Sequence, residues 1–340
     1  MILVTGGAGY LGCILVRSLI ERGRSVRIFD RMLFGEEPLS AFRDRIDLVE
    51  GDIRSIQADV LAGIDTVIHL AGLSNDPMAE YNPRANYEIN TIATERLAKM
   101  SKEAGVRRFS FASTCSIYDR GFLADDLLLD ETAEVSPRAA YAVSNYDAER
   151  VLLQLADSSF CPVILRQGTI FGYSPRMRYD LVVNTFVRDA MSCGHLTVFG
   201  GGAMWRPLVD VRDVAEAHVA AVDTAEEAVN GEIFNISHRN CRILDLAYEV
   251  KEALSDILEV AIEVNDLPFE GRSYRVSSAK MERRLGFCAK RSVRDTVLDM
   301  VGCIQAYDKT DFSNPLYYNI KWMTDRIDGV FAPSQVSLGI

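Results

Sequence analysis

The sequence predicts an α/β protein built on a doubly wound parallel sheet, with a smaller, mostly helical domain in its C-terminal half. Three observations carry this. Short apolar runs alternate with longer amphipathic stretches over the first 170 residues. A glycine-rich turn joins the first apolar run directly to the first amphipathic stretch. After residue 171 the alternation gives way to loops, isolated strands and helices. Buried strands alternating with helices imply parallel pairing, because a parallel strand is reached only through a crossover.

In chain order, "ILV" (2–4), "VRIF" (26–29), "IDLVE" (46–50), "DTVIHL" (65–70), "RFSFAS" (108–113) and "PVILR" (162–166) read as strands. Helical spacing of apolar residues marks 10–22 (Leu11, Ile14, Leu15, Leu19), 84–104 (Ile89, Ile92, Leu97, Met100) and 139–156 (Val143, Val151, Leu152, Leu155). Beyond them come a polar loop at 172–180, a helix at 181–193, the strand-like "LTVFG" and the run "GGG" (200–202). A strand turning into a helix follows at 207–222, then a strand at 231–237 and mostly helical chain over 243–306 with a strand-like piece near 261–264. The boundaries expected are 1–171 plus about 207–240 for the large domain, 172–206 plus about 241–310 for the smaller one, and a tail from 311 to 340.

With 340 residues, 48% of them apolar, the chain is long enough for a substantial core. A formal net charge of −11 gives no basic face for nucleic acid, yet a few local arginines suffice for a small phosphate ligand. There is no leader-like segment and no run of about 18 apolar residues, so no signal peptide and no membrane span are expected. Seven cysteines without a CxxC pair suit free thiols in a reducing cytoplasm. No HExxH motif and no G-x-S-x-G serine elbow occur, and no metal site is expected.

The turn "TGGAGYLG" places Gly6, Gly9 and Gly12 at the strand-to-helix junction of a Rossmann dinucleotide site, with Tyr10 and Leu11 opening the helix. Its glycines let a pyrophosphate approach the backbone, and the helix N-terminus supplies N–H donors. Asp30 ends the second strand, 18 positions after Gly12, where a carboxylate binds ribose hydroxyls and favours NAD over NADP; the adjacent Arg31 weakens that preference. Asp52 and Ile53 end the third strand, at the adenine. Leu70, Ala71 and Gly72 end the fourth and line the crevice. His69, inside that strand, reads as a core histidine.

The ordered motifs "TGGAGYLG", "GDI", "VIHLAG", "NYEINTIATERL", "FASTCSIYD", "YAVSNYDAE", "LRQGTIFG", "RPLVDVRDVAEAH" and "IFNIS" span roughly residues 1–290. In this set the chain resembles the extended short-chain dehydrogenases/reductases, in their branch of NAD-dependent sugar-nucleotide epimerases and dehydratases. The resemblance implies NAD as cofactor, a nucleotide-diphosphate sugar as substrate and a homodimer formed through the helices near 84–104 and 139–156. It assigns Tyr141 as the general base and Thr114 as the hydroxyl that binds the reacting sugar oxygen. Asn90 supports the site, and Gly168 and Thr169 pass near the nicotinamide. Arg206 and Asn184 bind the substrate diphosphate; Ser74, Arg176, Arg178 and Arg272 are further substrate candidates.

The family carries a lysine four residues after its tyrosine, one helical turn away on the same face. Pro137 and Glu149 set the register, so the resemblance puts Asn145 in the lysine's place. Asn can hydrogen-bond a ribose, but it cannot lower the pKa of Tyr141 as a cation does. Three readings stay open: an enzyme with a retuned base, an enzyme that shares the chemistry with other groups, and a cofactor-binding protein without turnover. The residues after Thr114 are Cys115-Ser116, where the 4,6-dehydratases carry Asp-Glu. Cys115 is a candidate acid/base or a small buried residue. Without the paired carboxylates, water elimination is poorly supported, and a 4-epimerase is the expected activity.

Overall fold

The computed structural model describes residues 1–119, 127–267 and 271–324. The N-terminal half runs β1 (Ile2–Thr5), α1 (Tyr10–Glu21), β2 (Val26–Asp30), β3 (Ile46–Glu50), β4 (Thr66–His69), α2 (Asp76–Tyr81), α3 (Pro83–Tyr87), a π-helical turn (Glu88–Ile92), α4 (Ala93–Glu103), β5 (Arg108–Thr114), β6 (Leu128–Leu129), α5 (Ala140–Leu155) and β7 (Cys161–Gln167). There follow β8 (Thr169–Phe171), α6 (Val182–Cys193), β9 (His195–Phe199), β10 (Trp205–Asp210), α7 (Val211–Asp223), α8 (Glu226–Val229), β11 (Glu232–Ile236), β12 (Arg239–Arg242), α9 (Ile243–Leu254), β13 (Ala261–Asn265), β14 (Arg275–Val276), α10 (Ala279–Leu285), α11 (Val293–Ala306) and α12 (Asn319–Thr324).

Seven strands form one sheet in the order β11-β7-β5-β4-β1-β2-β3, and every pair is parallel. The order reverses at β1, so the crevice outside the β1 and β4 ends is the topological switch point where ligands bind in such sheets. The six strands expected in the first half of the chain are all present, and 231–237 supplies the seventh. The near-continuous apolar character of β1, β4, β5 and β7 follows from burial on both faces, whereas the edge strand β3 is partly exposed. Leu15, Val16, Leu19 and Val214 pack on one side, and Leu97, Ala98 and Leu152 on the other.

The smaller domain has its own core of Val183, Phe186, Leu196, Leu246, Val250, Val297 and Met300, drawn mainly from α6, α9 and α11. Within the 207–240 segment, β10 pairs with β8 and β12 in a separate three-stranded sheet. Only β11 joins the large one, while α7 packs on α1. The tail, which shows no periodicity, is nonetheless built in. Phe312 and Tyr317 pack edge-on to the buried Tyr179, and Met323 is 2% exposed against the large domain's core. The rest of the expected tail, 325–340, lies outside the described residues. Among the described residues no helix is long and apolar enough to cross a membrane, and all seven cysteines are free.

Candidate active site

The first strand and helix form the glycine turn as the spacing requires. Gly6 has φ +74°, and a Cβ there would lie 2.7 Å from the Ala71 nitrogen; at Gly12 it would lie 2.2 Å from the Gly6 oxygen. Neither position accepts a side chain, so the turn stays flat at the start of α1. Asp30 caps the crevice from β2. Its Oδ2 accepts from the Ala8 amide at 3.0 Å and its Oδ1 from the Met32 amide at 2.8 Å. Arg31 pairs with Asp52 at 3.0 Å, and Arg54 pairs with the same carboxylate at 2.7 Å.

A cavity of about 530 Å³ runs from this turn across the strand ends into the smaller domain. Gly6, Gly9, Tyr10, Leu11, Gly12, Asp30, Arg31, Asp52 and Ile53 line one end; Leu70, Ala71, Gly72, Ser74, Asn90, Thr114, Tyr141, Asn145, Gly168 and Thr169 line its middle. Arg176, Arg178, Arg206 and Arg272 complete the wall. These features fit a dinucleotide: a cradle that a Cβ would fill, a carboxylate at the second strand end and a crevice at the switch point.

The catalytic candidates are held by a buried amide network. Asn90 sits on the π-helical turn and zips the end of β4: the Leu73 amide donates to its Oδ1 at 2.8 Å, and its Nδ2 donates to the Leu73 oxygen at 2.9 Å. Asn86 donates to the Ser144 hydroxyl at 2.9 Å and to the Ala140 oxygen at 3.0 Å, and Thr91 donates to the Ser144 oxygen at 2.8 Å. The first turn of α5 is therefore fixed against the π-helical turn, as such irregular helical turns often serve a functional site. Tyr141 lies on that first turn. Thr114 stands within hydrogen-bonding reach of its hydroxyl, and the Thr114 hydroxyl also accepts from the Ser116 amide at 3.1 Å.

Burial pushes the Tyr141 phenol up to about 12; the Asp76 carboxylate adds to the rise, and Arg272 and Arg178 oppose it. Asn145 is 4% exposed one turn along α5. Its Nδ2 donates to the Tyr141 carbonyl at 2.8 Å, back-bonding into its own helix.

Two assignments are corrected. Cys115 is fully buried, outside the cavity wall, with its Sγ 3.1 Å from the Arg166 oxygen. It packs with Ile117, Tyr118 and Ala142, and burial raises its thiol pKa well above the ordinary range. It is a packing residue. Asn184 is likewise fully buried. Its side chain accepts from the Gly172 amide at 2.9 Å and donates to the Arg178 oxygen at 2.8 Å and the Tyr10 hydroxyl at 3.1 Å, so it ties the 172–180 loop to α1 instead of facing a diphosphate. His69 is the core histidine expected: Thr5 and Thr94 hydroxyls meet its two nitrogens at 2.6 and 2.8 Å, and burial lowers its pKa to about 3.

The arginines divide into two groups. Arg206 and Arg272 sit together, with an Arg206 Nη1 donating to the Trp205 and Arg272 carbonyls, and Arg272 pairs with Asp76 at 2.9 Å. Arg176 lies elsewhere. Its guanidinium stacks 3.6 Å above the Phe34 ring, its Nη2 donates to Asn319, and its loop is tied to α1 by Ser174 donating to the Tyr10 oxygen at 2.7 Å. Arg178 pairs with Asp180 at 2.8 Å and donates to Ser74 at 3.2 Å. Buried nitrogens Nε of Arg176 and Nη2 of Arg178 have no partner among the described residues.

Asp76, Phe34, Tyr274, Asn319, Ile320 and Met323 also line the cavity and were not singled out from the sequence. Only Asp76 carried a signal: "SNDP" is an Asn cap followed by Asp-Pro, a helix start that aims the first turn at the strand ends.

Residues 2–237 match the NAD dependent epimerase/dehydratase family. The UDP-N-acetyl-alpha-D-glucosaminuronate decarboxylase of Bacillus cytotoxicus is 29% identical over 79% of this chain and 83% of its own. The UDP-glucose 4-epimerase of Neisseria meningitidis serogroup C is 28% identical over 76% and 84%. The structure of MoeE5 in complex with UDP-glucuronic acid and NAD superposes with a TM-score of 0.78, at 25% identity, over 90% of this chain and 99% of that one.

Proposed function

This chain belongs to the NAD-dependent epimerase/dehydratase family and is an NAD-dependent enzyme, and from that premise we propose that it is a 4-epimerase of a nucleotide-diphosphate sugar. The observation that carries the reading is the pair Tyr141–Thr114 at the middle of the cavity, with no carboxylate pair following Thr114 and the Cys115 thiol buried away from it. The relatives are named as a decarboxylase and an epimerase, and a solved neighbour holds UDP-glucuronic acid and NAD, so the choice among these chemistries rests on which further acid/base groups this site carries.

Bound NAD supplies the hydride acceptor and later the donor. Thr114 holds the sugar oxygen by a hydrogen bond. Tyr141 takes the hydroxyl proton through its Oη as the sugar carbon is oxidised. After the keto sugar turns over in the cavity, Tyr141 returns the proton to the oxygen on the opposite face. Asn145 stands in the place of the family lysine and contributes no charge to Tyr141. Arg206 and Arg272 hold the diphosphate by planar, charge-assisted hydrogen bonds. Arg176, beside Tyr10 and Phe34, serves the cofactor phosphates at the start of α1.

Incubating the NAD-loaded protein with UDP-, dTDP-, GDP- and CDP-hexoses tests this by proton NMR of the products. Wild type is expected to interconvert C4 epimers of one of them, and Tyr141→Phe to lose at least about 100-fold of that rate, as general acid–base groups contribute about 10²–10⁴-fold. The high pKa of Tyr141 and the missing cation favour a second reading, a cofactor-binding protein without turnover. It predicts tight NAD binding, no product and indifference to Tyr141→Phe. The half-exposed Tyr87 and Ile92, at 42% and 51% on the α3 and π-helical face, support pairing with a second copy through that face, read by the sedimentation mass. The seven free thiols suit residence in the cytoplasm.

A further inference from the structure

We propose that Asp76 selects the sugar: its carboxylate accepts a hydroxyl or ammonium hydrogen of a neutral or amino hexose and excludes a hexuronate from the ring pocket. The inference rests on the reading of the cavity as a sugar-nucleotide site and deepens it by naming the substrate class.

Asp76 opens α2, which packs against α5 and so stands across from Tyr141. Its two oxygens have different fates. Oδ2 is held by Arg272 at 2.9 Å. Oδ1 is buried and has no hydrogen-bond partner among the described residues. A buried acceptor left unmade is costly, and buried polar atoms in native proteins are nearly always paired. The missing partner must bring a hydrogen. A sugar hydroxyl does, and so does a protonated amino group; a carboxylate placed at the same point brings none.

Charge points the same way. Asp76 is the strongest charged influence on the Tyr141 hydroxyl, and it acts to keep the phenol neutral. A second carboxylate on the ring would meet Asp76 in a poorly solvated cavity, where like charges repel far more than in water. The neighbouring cations offset this only in part. Arg272 is engaged by Asp76, and the Arg206 Nη1 faces two backbone carbonyls. Arg178 is paired with Asp180 and keeps one buried nitrogen, Nη2, without a partner among the described residues, and Asp119 and Tyr274 stand near Arg206 and Arg272. What cationic capacity remains matches the diphosphate that every such substrate carries.

The test compares matched pairs of neutral hexose and hexuronate on the same nucleotide, UDP-glucose with UDP-glucuronic acid and the dTDP pair. The readout is the ratio of kcat/KM values for wild type and Asp76→Asn, with Asp76→Ser as a second variant and NAD binding as the check on folding. Wild type is expected to favour the neutral sugar by at least about 100-fold, and Asp76→Asn to shrink that ratio at least about tenfold. A wild-type ratio near one, a preference for the uronate, or a ratio unmoved in both variants overturns the inference. If wild type turns over no sugar of the UDP-, dTDP-, GDP- and CDP-hexose panel, the epimerase reading fails. The inference is then decided by the ratio of dissociation constants of the same pair on the NAD-loaded protein, under the same criterion.

Discussion

Tyr141 works at a disadvantage that its neighbours set. Burial and Asp76 push its phenol up to about 12, and Asn145 offers no compensating cation. The base form is needed to oxidise the sugar, so the oxidation rate should rise with pH towards that value, about tenfold per unit below it. A lysine at 145 restores a cation one turn away, and a charge within about 4–6 Å lowers such a pKa by about 1–3 units. Asn145→Lys is therefore expected to raise the oxidation rate near neutrality by roughly 10- to 1,000-fold and to move the profile down by the same units, measured by stopped-flow absorbance of the reduced cofactor. An unchanged profile shows that the side chain at 145 does not govern the phenol. At this scale the sequence was informative where a residue type is tied to a backbone position. Gly6, Gly12, Asp30, Thr114 and Tyr141 all line one cavity. It was uninformative where orientation decides. Cys115 and Asn184 stand in plausible positions along the chain, yet the 3₁₀ turn Cys115–Tyr118 after β5 puts the thiol in the core, and Asn184 is consumed by Tyr10, Gly172 and Arg178.

The elements that aim these side chains are tied together by one buried ion pair. Glu149, two turns along α5 from Tyr141, binds Arg166 on β7 at 2.7 Å with the two side chains 1% and 4% exposed, and Arg166 donates to the Tyr118 hydroxyl at 2.6 Å. Removing one partner leaves an uncompensated buried charge, so Glu149→Ala is expected to cost about 3–5 kcal/mol of stability, read by urea denaturation; a loss below about 1 kcal/mol contradicts this role. The central strands β1, β4, β5 and β7 were legible because burial on both faces leaves near-continuous apolar runs, and the more exposed β2, β3 and β11 because they keep short apolar stretches. The three-residue β8 and the mostly polar β12, "RNCR", were not, since neither offers a periodicity and both exist through their pairing with β10. The π-helical turn was read as continuous helix; its apolar spacing is nearly that of an α-helix, and only the hydrogen-bonding register differs.

Across the whole molecule, a loop and a tail join the smaller domain to the wall of the cavity. The 172–180 loop is anchored on α1 by Tyr10, Ser174 and Asn184, which brings Arg176 and Arg178 to the large domain's crevice. The tail then covers them: Asn319 bonds Arg176 and donates to Ser74 at 3.0 Å, Trp322 donates to the Leu33 oxygen at 2.7 Å, and Ile320 and Met323 line the cavity. Arg176→Ala is expected to weaken NAD binding by about 10- to 150-fold, the equivalent of one charged hydrogen bond at about 1.5–3 kcal/mol, with KM for the sugar nucleotide unchanged at saturating NAD. A rise in the sugar KM alone places Arg176 on the substrate instead. The tail's part in the site was illegible because its residues act only through partners distant in sequence.

The proposed 4-epimerase chemistry has Tyr141 and NAD oxidise and re-reduce the same sugar carbon, with no proton removed from a neighbouring carbon. Incubation in D₂O with the nucleotide sugars, followed by proton NMR and mass spectrometry, tests it most directly. The expected product is a C4 epimer carrying no solvent deuterium. Deuterium at a carbon next to the ketone, or a product lighter by one water, contradicts it.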